Sequence, residues 1–477
     1  MRITGATTRR TIGMVPPTEA TALLQKNQLS PTPLPKTQLF IVYLIQLAEP
    51  ITASVIYPFI AQFVRDTGIT YGDETATGYF AGIIESVFFM AECVTVLLWG
   101  IASNRFGHRR ILLIGPFGLA LAMLGFGMST TFWPLVFFRF MQGSFNGNIG
   151  VSKSVMAELS DSTNMAEGAH SAEPAAMLID PTTEGPIIGG VFSDPAAQWP
   201  GSLGKITLFQ NHPYLLLCLL AGSAAFVFFL VALCGLKEDK DDFSSAQSLQ
   251  RCISEESMET PSIRSLMVRQ VIIPLGCFAA LTFTETSYSV LIPLMYSTSI
   301  EHGGLGFSSF QIGIIMGMWG AYNVIWQGAA VSWIIRRVGP RTVHIFGQSC
   351  LLIGFSMFIV TNAIARAYGE VTPVVWALVI VQFLLCNSMV FMSFGTGHMF
   401  IVDGAPSKAS LTMTNGLGQV AGTISRTVAP VFANSLFSIS TERNLLHGYL
   451  VFVILLLVTL AGIRCSLLLP KELRRAH

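Results

Sequence analysis

W-G-I-A-S-N-R-F-G-H-R-R, residues Trp99 to Arg110, closes one long apolar run and opens the next. The runs on either side, 79–101 and 110–129, are each about 20 residues, the length a helix needs to cross bilayer hydrocarbon. Three arginines, Arg105, Arg109 and Arg110, crowd the short link between them. Gly107 permits a tight turn there, and Gly100 allows a neighbouring helix to approach closely. The pattern returns 232 positions later as S-W-I-I-R-R-V-G-P-R, Ser332 to Arg341, where Arg105 aligns with Arg337, Gly107 with Gly339 and Arg109 with Arg341. A second echo pairs T-E-G-P-I-I-G-G (Thr183–Gly190) with T-V-A-P-V-F-A-N (Thr427–Asn434). Two echoes in the same order predict a chain built from two similar halves, a frequent plan in secondary transporters.

Outward from this motif the same apolar texture continues. Only 12% of the 477 residues are charged and the mean hydropathy is +0.59, against roughly 25% charged in soluble globular proteins. Twelve spans are expected, at 38–62, 79–101, 110–129, 132–155, 172–193, 212–236, 270–295, 309–335, 343–364, 373–398, 413–437 and 446–469. The predicted fold class is an all-α membrane protein with twelve transmembrane helices in two six-helix, pseudo-symmetric bundles. The polar stretch 237–269 divides the spans into six and six. It is read as a cytosolic loop between an N-terminal bundle, 38–236, and a C-terminal bundle, 270–469. Residues 1–37 read as a disordered cytosolic tail without a cleavable leader, and 470–477 as a second cytosolic tail.

Lysine and arginine orient the spans. Of the 28 basic residues, 21 fall on the side holding both termini, four (Arg65, Lys205, Arg366, Arg443) on the other, and three (Arg139, Lys153, Arg426) within spans. Both termini are therefore expected in the cytosol, with the plasma or the vacuolar membrane as the site of residence. A net charge of +1 gives no basic field for nucleic acid. The eight cysteines are scattered, without CxxC or metal spacing, and the histidines are dispersed. No metal, no cofactor and no enzymatic activity is expected.

Charges inside a bilayer are costly and face a partner or a wet cavity. The candidates are Glu49, Glu85, Glu92, Arg139, Lys153, Glu285 and Arg426. Helical rise places Glu49 and Gln142 at one depth, with Arg139 one turn away beside Glu85 and Asn146 one turn the other way. A cluster of Glu49, Arg139 and Gln142 is expected, in which Glu49 gains and loses Arg139 as the halves rock and so exchanges a proton. A permanent Glu–Arg pair holding helices together is the alternative. Trp319, Tyr322, Asn323 and Gln327 combine rings with polar groups and are expected to line the cavity. Stripes such as Phe88-Phe89-Met90 are expected in packing or against lipid.

These stretches together resemble the major facilitator superfamily, from about Leu39 to Leu469. The motif after the second span has the form G-x-x-x-D-R-x-G-R-R and appears here through Gly100, Asn104, Arg105, Gly107, Arg109 and Arg110. R-x-x-x-G in the fourth span appears as Arg139 to Gly143. The antiporter motif of the fifth span appears as Gly185-Pro186-Ile-Ile-Gly189-Gly190. Ala48-Glu49-Pro50, Asn146–Val151 and Tyr296–Gly306 are similar to the fungal and plant branch near drug:proton antiporters and zinc-induced facilitators.

The resemblance implies a proton-coupled carrier of a small molecule, with a central cavity between two domains. Family members are often monomeric, and a monomer is expected. In the family the Asp of the first motif holds the N-terminal end of the eleventh span. Asn104 retains capping ability but lacks the charge–dipole contribution, about 0.3–1 kcal/mol, so a weaker latch is expected. The fifth span departs further, with Pro181 where relatives have Gly, and with Asp180 and Glu184 four apart on one face. They form either a second proton or cation site, or a degenerate or misread segment. Rival readings are a nutrient uniporter or symporter, and a non-transporting sensor of the same fold.

Overall fold

The computed structural model describes residues 36–159, 181–193, 195–236, 266–406 and 410–471. Asp180, the central loop 237–265, most of both tails and the first half of the fifth expected span lie outside the described residues.

Among the described residues, six helices are long and apolar enough to cross a membrane unaided: Glu74–Ser103, His108–Met128, Leu215–Gly235, Arg269–Ser297, Pro340–Tyr368 and Pro373–Asp403. The remaining helical paths are shorter, broken or more polar, each for a local reason. The first path is α1 (Lys36–Ser54), with Pro50 inside it, then a turn through Pro58 to α2 (Ile60–Asp66). Proline removes a backbone donor and clashes with the preceding turn, so the expected continuous span 38–62 is interrupted. Two long helices come after it, α3 (Thr77–Phe106) and α4 (His108–Met128). Next, α5 (Phe132–Asn146) gives way at Gly147 to α6 (Ile149–Leu159). α7 (Pro181–Val191) and α8 (Leu215–Gly235) complete the first half.

The second half opens with α9 (Arg269–Ser297). α10 (Ser309–Trp326) continues through a π-helical turn, Gln327–Val331, into α11 (Ser332–Val338). α12 (Pro340–Tyr368) is unbroken, whereas α13 (Pro373–Val381) passes through a second π turn, Gln382–Asn387, into α14 (Ser388–Asp403). α15 (Leu411–Glu442) is long but less apolar, and α16 (Leu450–Ser466) starts late because Leu446 and His447 adopt left-handed backbone, φ 51° and 57°.

The repeated motif produces the same turn twice. Gly107 (φ 90°, ψ 147°) joins α3 to α4, and Gly339 (φ 87°, ψ 149°) joins α11 to α12. Positive φ strains any side-chain-bearing residue, so each copy keeps its glycine. The aligned arginines also do the same work. Arg109 Nη2 donates to the Leu233 carbonyl (3.0 Å), and Arg341 Nη2 donates to the Leu467 carbonyl. Each closes the C-terminal end of the last helix of its own half, where unpaired carbonyls and the helix dipole favour a cation. Arg105, Arg336 and Arg337 share this end of the bundle, called here the basic face.

At the far face the halves are pressed together. α3 packs against α15, and α7 against α10. A methyl group at Gly78 or Gly82 would run into the α15 backbone at Asn434 or Pro430, and one at Gly190 would meet Gly313. Polar contacts join the loops above. Glu74 accepts from the Ser299 N–H (2.9 Å) and lies 3.8 Å from Arg65, which donates to the Ser297 carbonyl (3.3 Å). Burial pushes the Arg65 guanidinium down from its ordinary pKa, and the Glu74 carboxylate opposes the shift. At the basic face the same helices stand apart: a methyl at Gly100, Gly328 or Gly416 would touch nothing within 4 Å. The close approach expected at Gly100 is therefore not made in this conformation.

The outside is apolar where a bilayer would lie. Leu97 and Trp133 are 71% and 72% exposed, and Val94, Leu98 and Ile101 are exposed beside them. The interior divides between the halves. Phe59, Phe63, Phe126 and Tyr214 fill the first, with the Phe63 and Tyr214 rings stacked at 4.1 Å. Tyr288, Phe355, Phe358 and Phe452 fill the second.

Candidate functional site

A cavity of about 450 Å³ lies between the halves. α1 contributes Glu49, Pro50, Ala53 and Ser54, with Tyr57 from the turn beyond it, and α3 contributes Phe88 and Phe89. From the second half come Glu285, Thr286 and Ser289 on α9, Met316 and Trp319 on α10, and Arg426 on α15. Phe383 and Asn387 reach it from the second π turn, and Phe391, Phe394 and His398 from α14. A π turn inserts a residue into the helical repeat and re-aims the side chains beyond it, a device frequent at functional sites.

The charged groups fall into three sets. Glu49 sits near Asn146, with Lys153 and Arg426 in its field. Glu92 approaches the same Asn146 and the same two cations, so Asn146 stands between two carboxyl groups. Its amide nitrogen lacks a hydrogen bond of regular geometry to either. Glu285 accepts from Ser289 Oγ (2.8 Å) and lies 3.4 Å from the Thr286 hydroxyl, with Arg426 as its nearby cation. The third set lies behind the wall. Arg139, 1% exposed, donates to Gln142 Oε1 (2.7 Å) and to the Ala53 carbonyl (3.2 Å), and its guanidinium stacks 4.2 Å over Phe88. Glu85, equally buried, accepts from Asn434 Nδ2 at 2.8 Å, while its Oε1 has no partner.

The placement departs from the sequence expectation in several ways. Arg139 and Gln142 meet as expected, but Glu49 does not join them. Arg139 is held by Gln142, a backbone carbonyl and an aromatic face, and Glu49 turns instead toward Asn146, Lys153 and Arg426. Glu92 belongs to that group too. Trp319 and Arg426 line the cavity, whereas Tyr322, Asn323 and Gln327 do not. Tyr322 stacks on Trp326 at 6.1 Å, and the Gln327 amide lies 3.4 Å from Asn323 Oδ1 and from the Ser388 carbonyl, between α10 and α14. The Gln327–Ser388 contact stitches the first π turn to α14. Phe88 and Phe89, expected in packing or lipid contact, are walls of the cavity, as is Met316.

α7 packs tightly on two sides. Added methyl groups at Gly185 and Gly189 would strike α1 and the turn beyond it at Ser54 and Val55, and one at Gly190 would strike Gly313 of α10. Pro186 lines the cavity. The side chains of Glu184 and Asn104 lie outside the described residues, as does Asp180.

Sequence reasoning missed His398, Phe383, Asn387, Phe391 and Phe394. A histidine inside an apolar run, in G-T-G-H-M-F (Gly395–Phe400), was a usable signal. The π turn that presents Phe383 and Asn387 has none. Two polar groups on the cavity wall, Trp319 Nε1 and Asn387 Oδ1, are buried without a partner, a donor and an acceptor available to a bound molecule.

A family model described as the Major Facilitator Superfamily matches residues 42–430. The major facilitator-type transporter psiT2 of Psilocybe cyanescens is 30% identical over 93% of this chain and 92% of its own length. The protein zinc induced facilitator-like 1 of Arabidopsis thaliana is 26% identical over 90% of each chain. Among solved structures, a D-xylose-proton symporter superposes with a TM-score of 0.66 at 14% identity, over 92% of this chain and 99% of that one.

Proposed function

Since the chain belongs to the major facilitator superfamily and is a multi-pass membrane transporter of a small solute, we propose that it is a proton-coupled antiporter. It works as a monomer by alternating access, with its basic face and both termini in the cytosol of a plasma or vacuolar membrane. On that orientation the conformation described here is the inward-open one. The far face is sealed along α3–α15 and α7–α10, and the basic-face glycines stand clear.

The observation that carries the reading is the pair of carboxyl groups, Glu49 and Glu285, on opposite halves of one cavity that also contains Arg426. A carboxyl in such a place is protonated or ionised according to its cation and its access to water. Rocking the halves changes water access to both carboxyls and, for Glu49, the distance to Arg426, so proton release and solute release become linked. Arg426 answers to both carboxylates and moves with the second half. Aromatic walls supply area for an organic solute with a flat apolar part, and the Trp319 donor and Asn387 acceptor orient it. Glu85, Arg139 and Gln142 act from behind the wall, as ties rather than as the exchanging pair. The tight packing of α7 on α1 and α10 suits the antiporter-like Gly185–Gly190 run.

The test is a reconstituted vesicle with an imposed pH gradient and a panel of candidate solutes. Transport that the gradient drives in the native protein is expected to lose that drive in Glu285→Gln and Glu49→Gln while exchange without a gradient persists. Gradient-driven transport intact in both variants would remove these carboxyls from coupling.

A further inference from the structure

The sulfur atoms of Cys277 and Cys465 lie 3.3 Å apart, on α9 and α16. No other cysteine pair among the described residues makes such a contact. α16 packs closely here: an added methyl at Gly462, one turn before Cys465, would strike the Gln348 amide of α12 and come within 3.3 Å of Ala280 on α9. Cys277 is 1% exposed, whereas Cys465 is partly exposed beside the C-terminal end of α16. Ile273 and Phe400 flank the thiols. The same two residues also line a cavity of about 360 Å³ whose wall includes Arg269, Asp403 and Leu468. That cavity brings a small polar molecule from the basic face as far as the residues that flank the pair.

We propose that Cys277 and Cys465 are a reversible disulfide site, closed by peroxide and opened by thiols. The surroundings select this chemistry over capture of a soft metal ion. A bis-thiolate complex of a monovalent soft ion would leave net charge among Ile273, Phe400 and Leu469, and unpaired buried charge is costly, while a divalent ion such as zinc finds no third His, Cys, Asp or Glu ligand among the described residues. Two neutral thiols becoming a neutral disulfide bury none. Cys465, the more accessible thiol, loses its proton and attacks a peroxide oxygen. The O–O bond breaks and the departing hydroxide takes that proton as water, leaving a sulfenic acid on Cys465. The Cys277 sulfur then attacks the sulfenyl sulfur. An S–S bond forms, the S–O bond breaks, and the hydroxyl leaves with the Cys277 proton as a second water. The two thiols lose two electrons and the peroxide gains them. Cys277 is slow as a first nucleophile because it is buried, but its position against Cys465 makes the second step effectively unimolecular. Closure ties together residues 188 apart in sequence and fixes the basic-face half of α9, the helix that carries Glu285, to α16.

The experiment treats the full chain in lipid nanodiscs with hydrogen peroxide, followed by blocking of free thiols, digestion and mass spectrometry. A Cys277–Cys465 cross-linked peptide, two hydrogens lighter than the reduced pair, is expected. It should disappear on dithiothreitol treatment and be absent in Cys277→Ser and Cys465→Ser. The thermal unfolding midpoint of the native chain is expected to rise on oxidation and return on reduction, with both serine variants unresponsive. Exposed Cys234 reports that the oxidant acted. Oxidised Cys234 with no cross-linked peptide, or Cys465 carried to sulfinic acid while Cys277 stays reduced, would overturn the proposal.

Discussion

Replacing Asn434 by alanine breaks a side-chain hydrogen bond that spans the deep part of the α3–α15 contact. Its amide donates to Glu85 Oε2 at 2.8 Å, both residues are 1% exposed, and Glu85 Oε1 already lacks a partner. A buried polar group left unpaired costs about 1–3 kcal/mol. The cost falls on the conformation in which the far face is shut. When that face opens, water reaches Glu85 and replaces the amide. At about 1.4 kcal/mol per factor of ten, Asn434→Ala is therefore expected to move the ratio of far-face-open to far-face-closed molecules upward by roughly 5- to 140-fold. Nitroxides on cysteines at Tyr71 and Tyr368, exposed by 94% and 71% on the far-face loops of the two halves, report that ratio by pulsed electron–electron spectroscopy. Cys93, Cys234 and Cys465 are first changed to serine. Glu85→Gln, which can still accept from Asn434, is expected to shift the ratio less. Distance distributions for Asn434→Ala that match the parent would show that this bond has no part in closing the face.

Three further substitutions probe the other contacts. Gly313→Val puts a branched side chain where the Gly190 backbone already stands. The same spin-label pair should show the far face held open, and restoring transport would require room elsewhere along α7; an unchanged closed population would mean that the α7–α10 contact is not the seal. Arg341→Ala removes the donor to the Leu467 carbonyl at an exposed helix end, so a loss of about 0.5–1 kcal/mol in unfolding free energy is expected. Arg109→Ala should do the same in the first half, and unfolding curves that coincide with the parent for both would deny the arginines a capping role.

The fold is legible because a bilayer imposes one requirement on nearly every residue. Long apolar runs, arginines at one end of the bundle and the doubled Gly107/Gly339 turn arise from that requirement and can be read directly in the sequence. The helix breaks are only partly legible. Pro50 and Pro58 announce the interruption between α1 and α2, but nothing in Q-G-A-A-V (Gln327–Val331) or Q-F-L-L-C-N (Gln382–Asn387) announces a π turn. Those turns explain the misplaced candidates. Depth and polarity assign Tyr322, Asn323 and Gln327 to the cavity, but a widened turn beside them directs Asn323 and Gln327 into the second half instead.

The same logic accounts for the Glu49–Arg139 pairing that does not form. Depth along a helix is readable from the rise per residue, but azimuth around it depends on what the neighbouring helix offers. Arg139 finds three partners inside its own half, Gln142, the Ala53 carbonyl and the face of Phe88. None of them moves when the halves rock, so these three hold Arg139 in either conformation, although its Nε lacks a partner. Arg426 is different. It is exposed, it lies near Glu285 in its own half and near Glu49 and Glu92 across the divide, and its distance to the latter two depends on the angle between the halves. An exchanging carboxylate needs a cation whose proximity is conditional, and among the described residues Arg426 meets that condition while Arg139 does not.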